Sequence, residues 1–104
     1  MNQQVLLRKL QKMQKEMEQT QREIEESVFS ASAGGVVTVE VYGTKEIKSV
    51  IIAEDFEAEG KEDYEMLSDV IVAASNEAYK QVDKTTEQKM AKFSALTGGM
   101  GGLF

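Results

Sequence analysis

The chain has no cysteine and no histidine, and each absence removes a class of chemistry. Without cysteine there is no disulfide, no thiolate metal ligand and no sulfur nucleophile. Without histidine the commonest general base and the commonest metal ligand are gone too. Proline and tryptophan are also missing, and aromatic residues make up only 7% of the 104 positions. No X-Pro turn therefore holds the backbone, and the core that one copy can build is modest. The longest apolar runs are a few residues, far short of the roughly 18–20 needed to cross a bilayer. The opening residues lack the apolar stretch of a secretory signal, so the expected setting is the cytoplasm, with no membrane partner.

What is present is acid, unevenly spread. The net charge is −6, from 18 Asp and Glu against 12 Lys and Arg. Residues 1–15 nevertheless hold Arg8, Lys9, Lys12 and Lys15 and no acid. Residues 80–104 hold Lys80, Lys84, Lys89 and Lys92 against Asp83 and Glu87. Both ends are basic, and the stretch between them carries −12, with 16 acidic and 4 basic residues.

From Asn2 to Val28 the sequence reads as one long amphipathic helix. Leu6, Leu10, Met13, Met17, Thr20 and Ile24 recur at spacings of four and three, the a/d seam of a coiled-coil-like contact. A helix of this length spans about 38 Å, too long for so small a domain to cover, so it should project and find a partner. The period then changes. Val28–Ala33, Val36–Tyr42 and Ile47–Ala53 are rich in β-branched residues, with Gly34-Gly35 and Gly43-Thr44-Lys45 between them, and read as a three-stranded antiparallel meander. Such a sheet has open edges, and pairing with a second copy would remove one of them. A second long helix follows over residues 62–93, with acids at its start. Its apolar stripe is Leu67, Ile71, Ala74, Ala78 and Val82, with Val70 beside it, and Ala73, Ala74 and Ala78 permit close approach of another element. The expected fold is α+β in the order α-β-β-β-α, a single domain over residues 1–96 followed by a flexible glycine-rich tail over 97–104.

Candidate functional residues are few. With Leu6 and Leu10 on the seam, Arg8, Lys12, Lys15 and Arg22 fall on the outward face of the first helix as i, i+3 and i+4 neighbours, with Lys9 adding to the basic segment. Lys84, Lys89 and Lys92 gather near the end of the second helix. If the two helices pack antiparallel, both basic segments meet at the tip farthest from the sheet and the acidic middle stays at the sheet end. Cations on a projecting helix suit the phosphates of double-stranded DNA, whereas a solvated charged face is the plainer reading of the same residues. The acidic run Glu54–Glu65 lacks the ligand pattern of a calcium loop, the glycines of the tail do not form a phosphate-binding loop, and no serine sits in a nucleophile elbow. No enzyme, cofactor, metal or small-molecule substrate is expected.

Four stretches carry a resemblance. They are Leu10-Gln11-Lys12-Met13-Gln14-Lys15-Glu16-Met17, Ala33-Gly34-Gly35-Val36-Val37-Thr38-Val39, the run from Glu65 to Ala78, and Thr97-Gly98-Gly99-Met100 with Leu103-Phe104. In this order and at this length, the chain resembles the YbaB/EbfC family of nucleoid-associated proteins over nearly its whole length. The resemblance implies a homodimer in which two sheets join and paired helices project as arms. It also implies binding of double-stranded DNA with little sequence preference, and an influence on chromosome organisation and gene expression. Two positions depart from the family pattern: an acidic or mixed stretch replaces the Asp-Pro common before the second helix, and Tyr42-Gly43 stands where Asn-Gly is usual. An interaction scaffold, gripping a protein through its arms or its Leu103-Phe104 tail, is the alternative.

Overall fold

The computed structural model describes residues 2–94 and 96. The element order is α1 (Gln3–Glu26), β1 (Val28–Ala33), β2 (Val37–Tyr42), β3 (Ile47–Ile52), α2 (Lys61–Met90) and a short 3-10 turn, Ala91–Phe93. The strands form one antiparallel sheet in the order β1-β2-β3, so the α-β-β-β-α order read from the sequence is the observed one. The expected flexible tail, residues 97–104, lies outside the described residues.

Local chemistry explains the boundaries. Asn2 caps α1, its Oδ1 accepting from the Val5 N–H at 2.9 Å, as a short polar side chain does at an N-cap. The helix stops two residues before the expected end. Ser27 turns extended, its hydroxyl donates to the Glu23 carbonyl at 2.7 Å, and Val28 pairs with Tyr42. Strand pairing thus captures β-branched Val28 before the helix reaches it. Gly34 and Gly35 sit at φ 62° and 71°, the left-handed values a tight hairpin turn needs, and Val36 N–H closes the turn onto Ala33. The second hairpin puts its left-handed residue at Lys45, φ 73°, and the β2–β3 register shifts between Glu40 and Val41. Gly60 starts α2 with no side-chain cap; instead Asp63 accepts from the Glu59 N–H at 2.7 Å, and Glu62 and Asp63 occupy the first turn.

Two buried clusters hold these elements together. In the larger, Val37, Val39 and Val41 of β2 and Ala31 of β1 meet Ala74, Ala78 and Val82 of α2, flanked by half-buried Leu67, Val70 and Ile71. The alanines let the helix lie close to the sheet, as expected for Ala74 and Ala78; Ala73 is exposed and plays no such part. In the smaller cluster, Ile24 of α1 joins Met90 and Phe93, with Met17 and Leu96 packed against them. At the junction an added Cβ on Gly43 would collide with the backbone of Ile24, so glycine is what allows α1 to seat on the hairpin end.

The first half of α1 extends from the body and, among the described residues, belongs to neither buried cluster. The molecule measures 72 × 23 × 16 Å, the shape of a small body with one long projection. The α2 helix covers β1 and β2 and leaves β3 open: Ile47, Val50, Ile51 and Ile52 are all exposed.

Candidate nucleic-acid interface

The projection is the first half of α1, and every cation on it faces solvent. Arg8, Lys9, Lys12 and Lys15 are exposed, and none forms an ion pair with another described residue. At about 100° of rotation per residue, Arg8, Lys12 and Lys15 stand roughly 120–180° from Leu6, and Lys9 about 60° from it. The four charges therefore share one sector some 10 Å long, measured at about 1.5 Å per residue. Arg8, Gln11, Lys12, Gln14, Lys15 and Glu18 border a hollow. All six come from one helix, so the hollow is open surface and not an enclosed ligand cavity.

The end of the helix adds to this charge. The first turn of α1 contains no acidic residue, so nothing offsets the positive end of the helix dipole, which favours anions. The start of α2, with Glu62 and Asp63, is neutralised in the ordinary way.

The remaining expected site residues lie elsewhere. The two helices do pack antiparallel, but they meet at the base of the arm and not at its tip. In the buried cluster Met90 and Phe93 meet α1 at Ile24 and Met17, and Arg8 stands about 14 Å beyond Met17 along the helix. The expected convergence of both basic segments at the tip is corrected accordingly: α2 spends its length crossing the sheet, and its last turns come only partway up α1. Arg22, Lys84, Lys89 and Lys92 are all exposed beside that base, with the Lys92 Nζ 5.1 Å from the Phe93 ring centroid. Carboxylates are interspersed with them: residues 16–26 hold five glutamates to the single Arg22, and Asp83, paired with Lys45 at 2.8 Å, and Glu87 stand among the lysines of α2 in sequence. The acidic connection before α2 lies at the opposite end of the molecule, since α2 runs from it past Val70, beside Gly34, to the arm.

Apolar surface went unremarked in the sequence and stands out in three dimensions. Val50-Ile51-Ile52 is apolar without alternation, the pattern of a strand meant to be covered on both faces. Val50 and Ile52 pair with Val39 and Val37, so they lie on the α2 side of the sheet, yet α2 does not reach them. Among the described residues there is no cluster of three or more acidic side chains placed to hold a metal ion, and no helix is long and apolar enough to cross a membrane.

An unpaired basic helix carried on a small open sheet defines a protein that works through its surface, by binding. Comparison with known proteins specifies the kind. The YbaB/EbfC DNA-binding family matches this chain over residues 1–100. A nucleoid-associated protein of Clostridium novyi is 47% identical over 102 residues, covering 95% of this chain and 85% of that one. One from Acetivibrio thermocellus is 44% identical over 99 residues, covering 94% and 83%, and one from Chloroflexus aurantiacus is 35% identical with both chains covered completely. The crystal structure of an uncharacterized protein from Helicobacter pylori superposes with a TM-score of 0.63 at 27% identity, over 92% of this chain and 98% of that one. The chain belongs to the YbaB/EbfC DNA-binding family, a family of nucleoid-associated proteins and not of enzymes.

Proposed function

We propose that this protein binds double-stranded DNA through the free end of α1, with Arg8, Lys9, Lys12 and Lys15 as the principal phosphate contacts. The observation that carries this is an acid-free, exposed cationic sector, without ion pairs among the described residues, on the part of the helix outside both buried clusters. Arg22, Lys84, Lys89 and Lys92 contribute less, because carboxylates outnumber cations around them. The contacts are to the backbone. Cations on one helix face that meet phosphates supply affinity without sequence information. The acidic pole does not defeat it: salt screens charge beyond about 8–10 Å, and that pole lies near the other end of a molecule 72 Å long.

The protein works as a homodimer. Exposed Ile47, Val50 and Ile52 form an apolar shelf beside α2 along an unpaired edge strand, a surface that a second copy covers and that a soluble monomer rarely leaves open. Two arms on one dimer engage the duplex together, in the cytoplasm at the nucleoid, and influence chromosome organisation and gene expression.

Titration with random duplex at several salt concentrations tests the DNA reading. Each neutralised phosphate lowers log K by about 0.9 per log unit of salt. Four contacts on one arm therefore weaken binding roughly 150-fold between 50 and 200 mM salt, and two arms about 10⁴-fold. The folded Arg8→Glu/Lys12→Glu/Lys15→Glu variant loses both affinity and slope. Equal binding by that variant, or a wild type that ignores DNA at low salt, rejects the proposal.

A further inference from the structure

Phosphate contacts account for the cations of the arm and leave its apolar side without a role. Val5, Leu6, Leu7 and Leu10 are 38%, 49%, 56% and 40% exposed, and none of them belongs to either buried cluster of the described residues. At about 100° per residue, Leu10 stands roughly 40° to one side of Leu6 and Met13 about 20° to the other. Leu7 and Val5 flank this stripe at about 100° on either side. Residues 3–15 of α1 hold five apolar side chains, four cations, four glutamines and no acid. That is the composition of a basic amphipathic helix, apolar on one side and cationic on the other.

We propose that the free half of α1 also lies on anionic phospholipid surfaces as an interfacial helix, with Leu6, Leu7 and Leu10 turned into the lipid. The expectation of no membrane partner rested on the lack of a segment long enough to span a bilayer. An interfacial helix needs only one apolar face, which sinks about 5–10 Å into the headgroup boundary. A helix with its side chains is about 10–12 Å thick, so at that depth the cationic side stands level with the headgroup phosphates. Lys9, about 60° from Leu6, borders the apolar stripe, and Arg8, Lys12 and Lys15 lie above it on long side chains that reach toward charge while their stems stay on apolar surface. Duplex DNA uses the cations and leaves the leucines in water; an anionic lipid surface uses both.

Two further observations favour this occupant. The arm is already helical, with Asn2 capping its start, so docking on lipid does not carry the cost of nucleating a helix. The acidic connection before α2 lies near the other end of a molecule 72 Å long, where salt screens its repulsion from an anionic surface beyond about 8–10 Å. A second copy of α1 is the poorer occupant. Packing two such arms side by side would set one group of four cations against another, with no acid in either segment. The inference does not rest on DNA binding, since it needs the leucine side of the helix as well as the cations.

Vesicle sedimentation with the full-length protein, in the absence of DNA, is the test. The probes are equimolar phosphatidylglycerol–phosphatidylcholine vesicles and pure phosphatidylcholine vesicles. Each cation at an anionic surface strengthens binding about five-fold, so two of the four alone should make the anionic vesicles about 25-fold the tighter partner. Leu6→Gln/Leu10→Gln keeps every cation and a good helix former at both exposed positions. It should weaken binding to anionic vesicles about 30-fold while leaving affinity for duplex DNA unchanged, which separates this inference from the DNA reading. Because the chain has no tryptophan, Leu7→Trp supplies a single reporter whose emission should shift to the blue on anionic vesicles. No binding to anionic vesicles, equal binding to both kinds, or a leucine-to-glutamine variant that binds as wild type would each overturn the inference. So would a tryptophan that stays unshifted on bound protein, the sign of adsorption by charge alone, or one already blue before vesicles are added, the sign of a stripe covered by protein.

Discussion

Replacing Gly43 with alanine tests how the arm is mounted on the body. An added Cβ at Gly43 meets the carbonyl of Ile24 and the amide nitrogen of Glu25, both backbone atoms. No side chain can rotate away, so either the hairpin end or the last turn of α1 must move. The Gly43 N–H donates to the Ser27 carbonyl at 3.1 Å, and the Ser27 N–H donates to the Ile24 carbonyl at 3.1 Å, so both bonds lie in the path of that movement. Overpacking costs typically 1–3 kcal/mol, a weakened hydrogen bond about 1 kcal/mol, and the smaller unfolded-state entropy of alanine returns about 0.4–1 kcal/mol. The net loss is about 2 kcal/mol, which lowers the urea midpoint by roughly 1–2 M for a domain of this size. Two companion substitutions separate the causes. Gly35→Ala meets nothing within 4 Å but must adopt φ 71°, a strain of about 1–2 kcal/mol. Gly60→Ala meets nothing within 4 Å and has an extended backbone, φ −178°, so it should stay within about 0.5 kcal/mol of wild type. Urea melts at one protein concentration, needed because dimerisation couples to stability, give the ranking. A Gly43→Ala protein as stable as Gly60→Ala would refute the tight junction between α1 and the hairpin.

The other expectations concern the base of the arm, the second hairpin and the open strand. Phe93→Ala empties a buried position shared with Ile24 and Met90; a loss of about 3 kcal/mol, confined to that cluster, should speed hydrogen exchange of residues 17–26 roughly 100-fold while the amides of β2 change little. Uniform loss across the domain would contradict two separate clusters. The Lys45–Asp83 pair, at 2.8 Å but with half-exposed side chains, contributes no more than about 1 kcal/mol, whereas holding Lys45 at φ 73° costs about the same. Lys45→Gly should therefore match wild type and Lys45→Ala fall about 1 kcal/mol below it in thermal melts; a glycine variant less stable than the alanine one would reverse that assignment. Val50→Asp/Ile52→Asp on the open shelf should convert a dimer to a folded monomer of 11.5 kDa by light scattering. A wild type that already scatters as 11.5 kDa would remove the dimer from the proposal.

Periodicity carried most of the architecture. The four-and-three spacing from Leu6 to Ile24 and the alternation of Val37, Val39 and Val41 place a helix and a half-buried strand, because helix and strand geometry repeat at 3.6 and 2 residues. The basic opening of the chain was equally plain, since a run of cations without acid needs no fold to be noticed. Boundaries were less legible: Ser27 ends α1 through a hydroxyl–carbonyl contact and a strand pairing that no local pattern announces. The left-handed residue of the second hairpin fell on Lys45, although Gly43 nearby is the residue that sequence alone would choose. Gly43 serves instead as the point of closest approach to α1.

Tertiary structure decided where the charges stand relative to one another. Sequence determined that both ends of the chain are basic, but whether they meet depends on how far α2 travels across the sheet before reaching α1. Its end and the turn after it pack on α1 at Ile24 and Met17, so one basic segment stands toward the tip and the other sits among carboxylates at the base. Likewise Val50 and Ile52 are as apolar in sequence as any core residue, and only the placement of α2 over β1 and β2 leaves them uncovered. Element identity follows from local, periodic preferences along the chain. Exposure follows from which surfaces the packing brings together, and that is a property of the assembled fold.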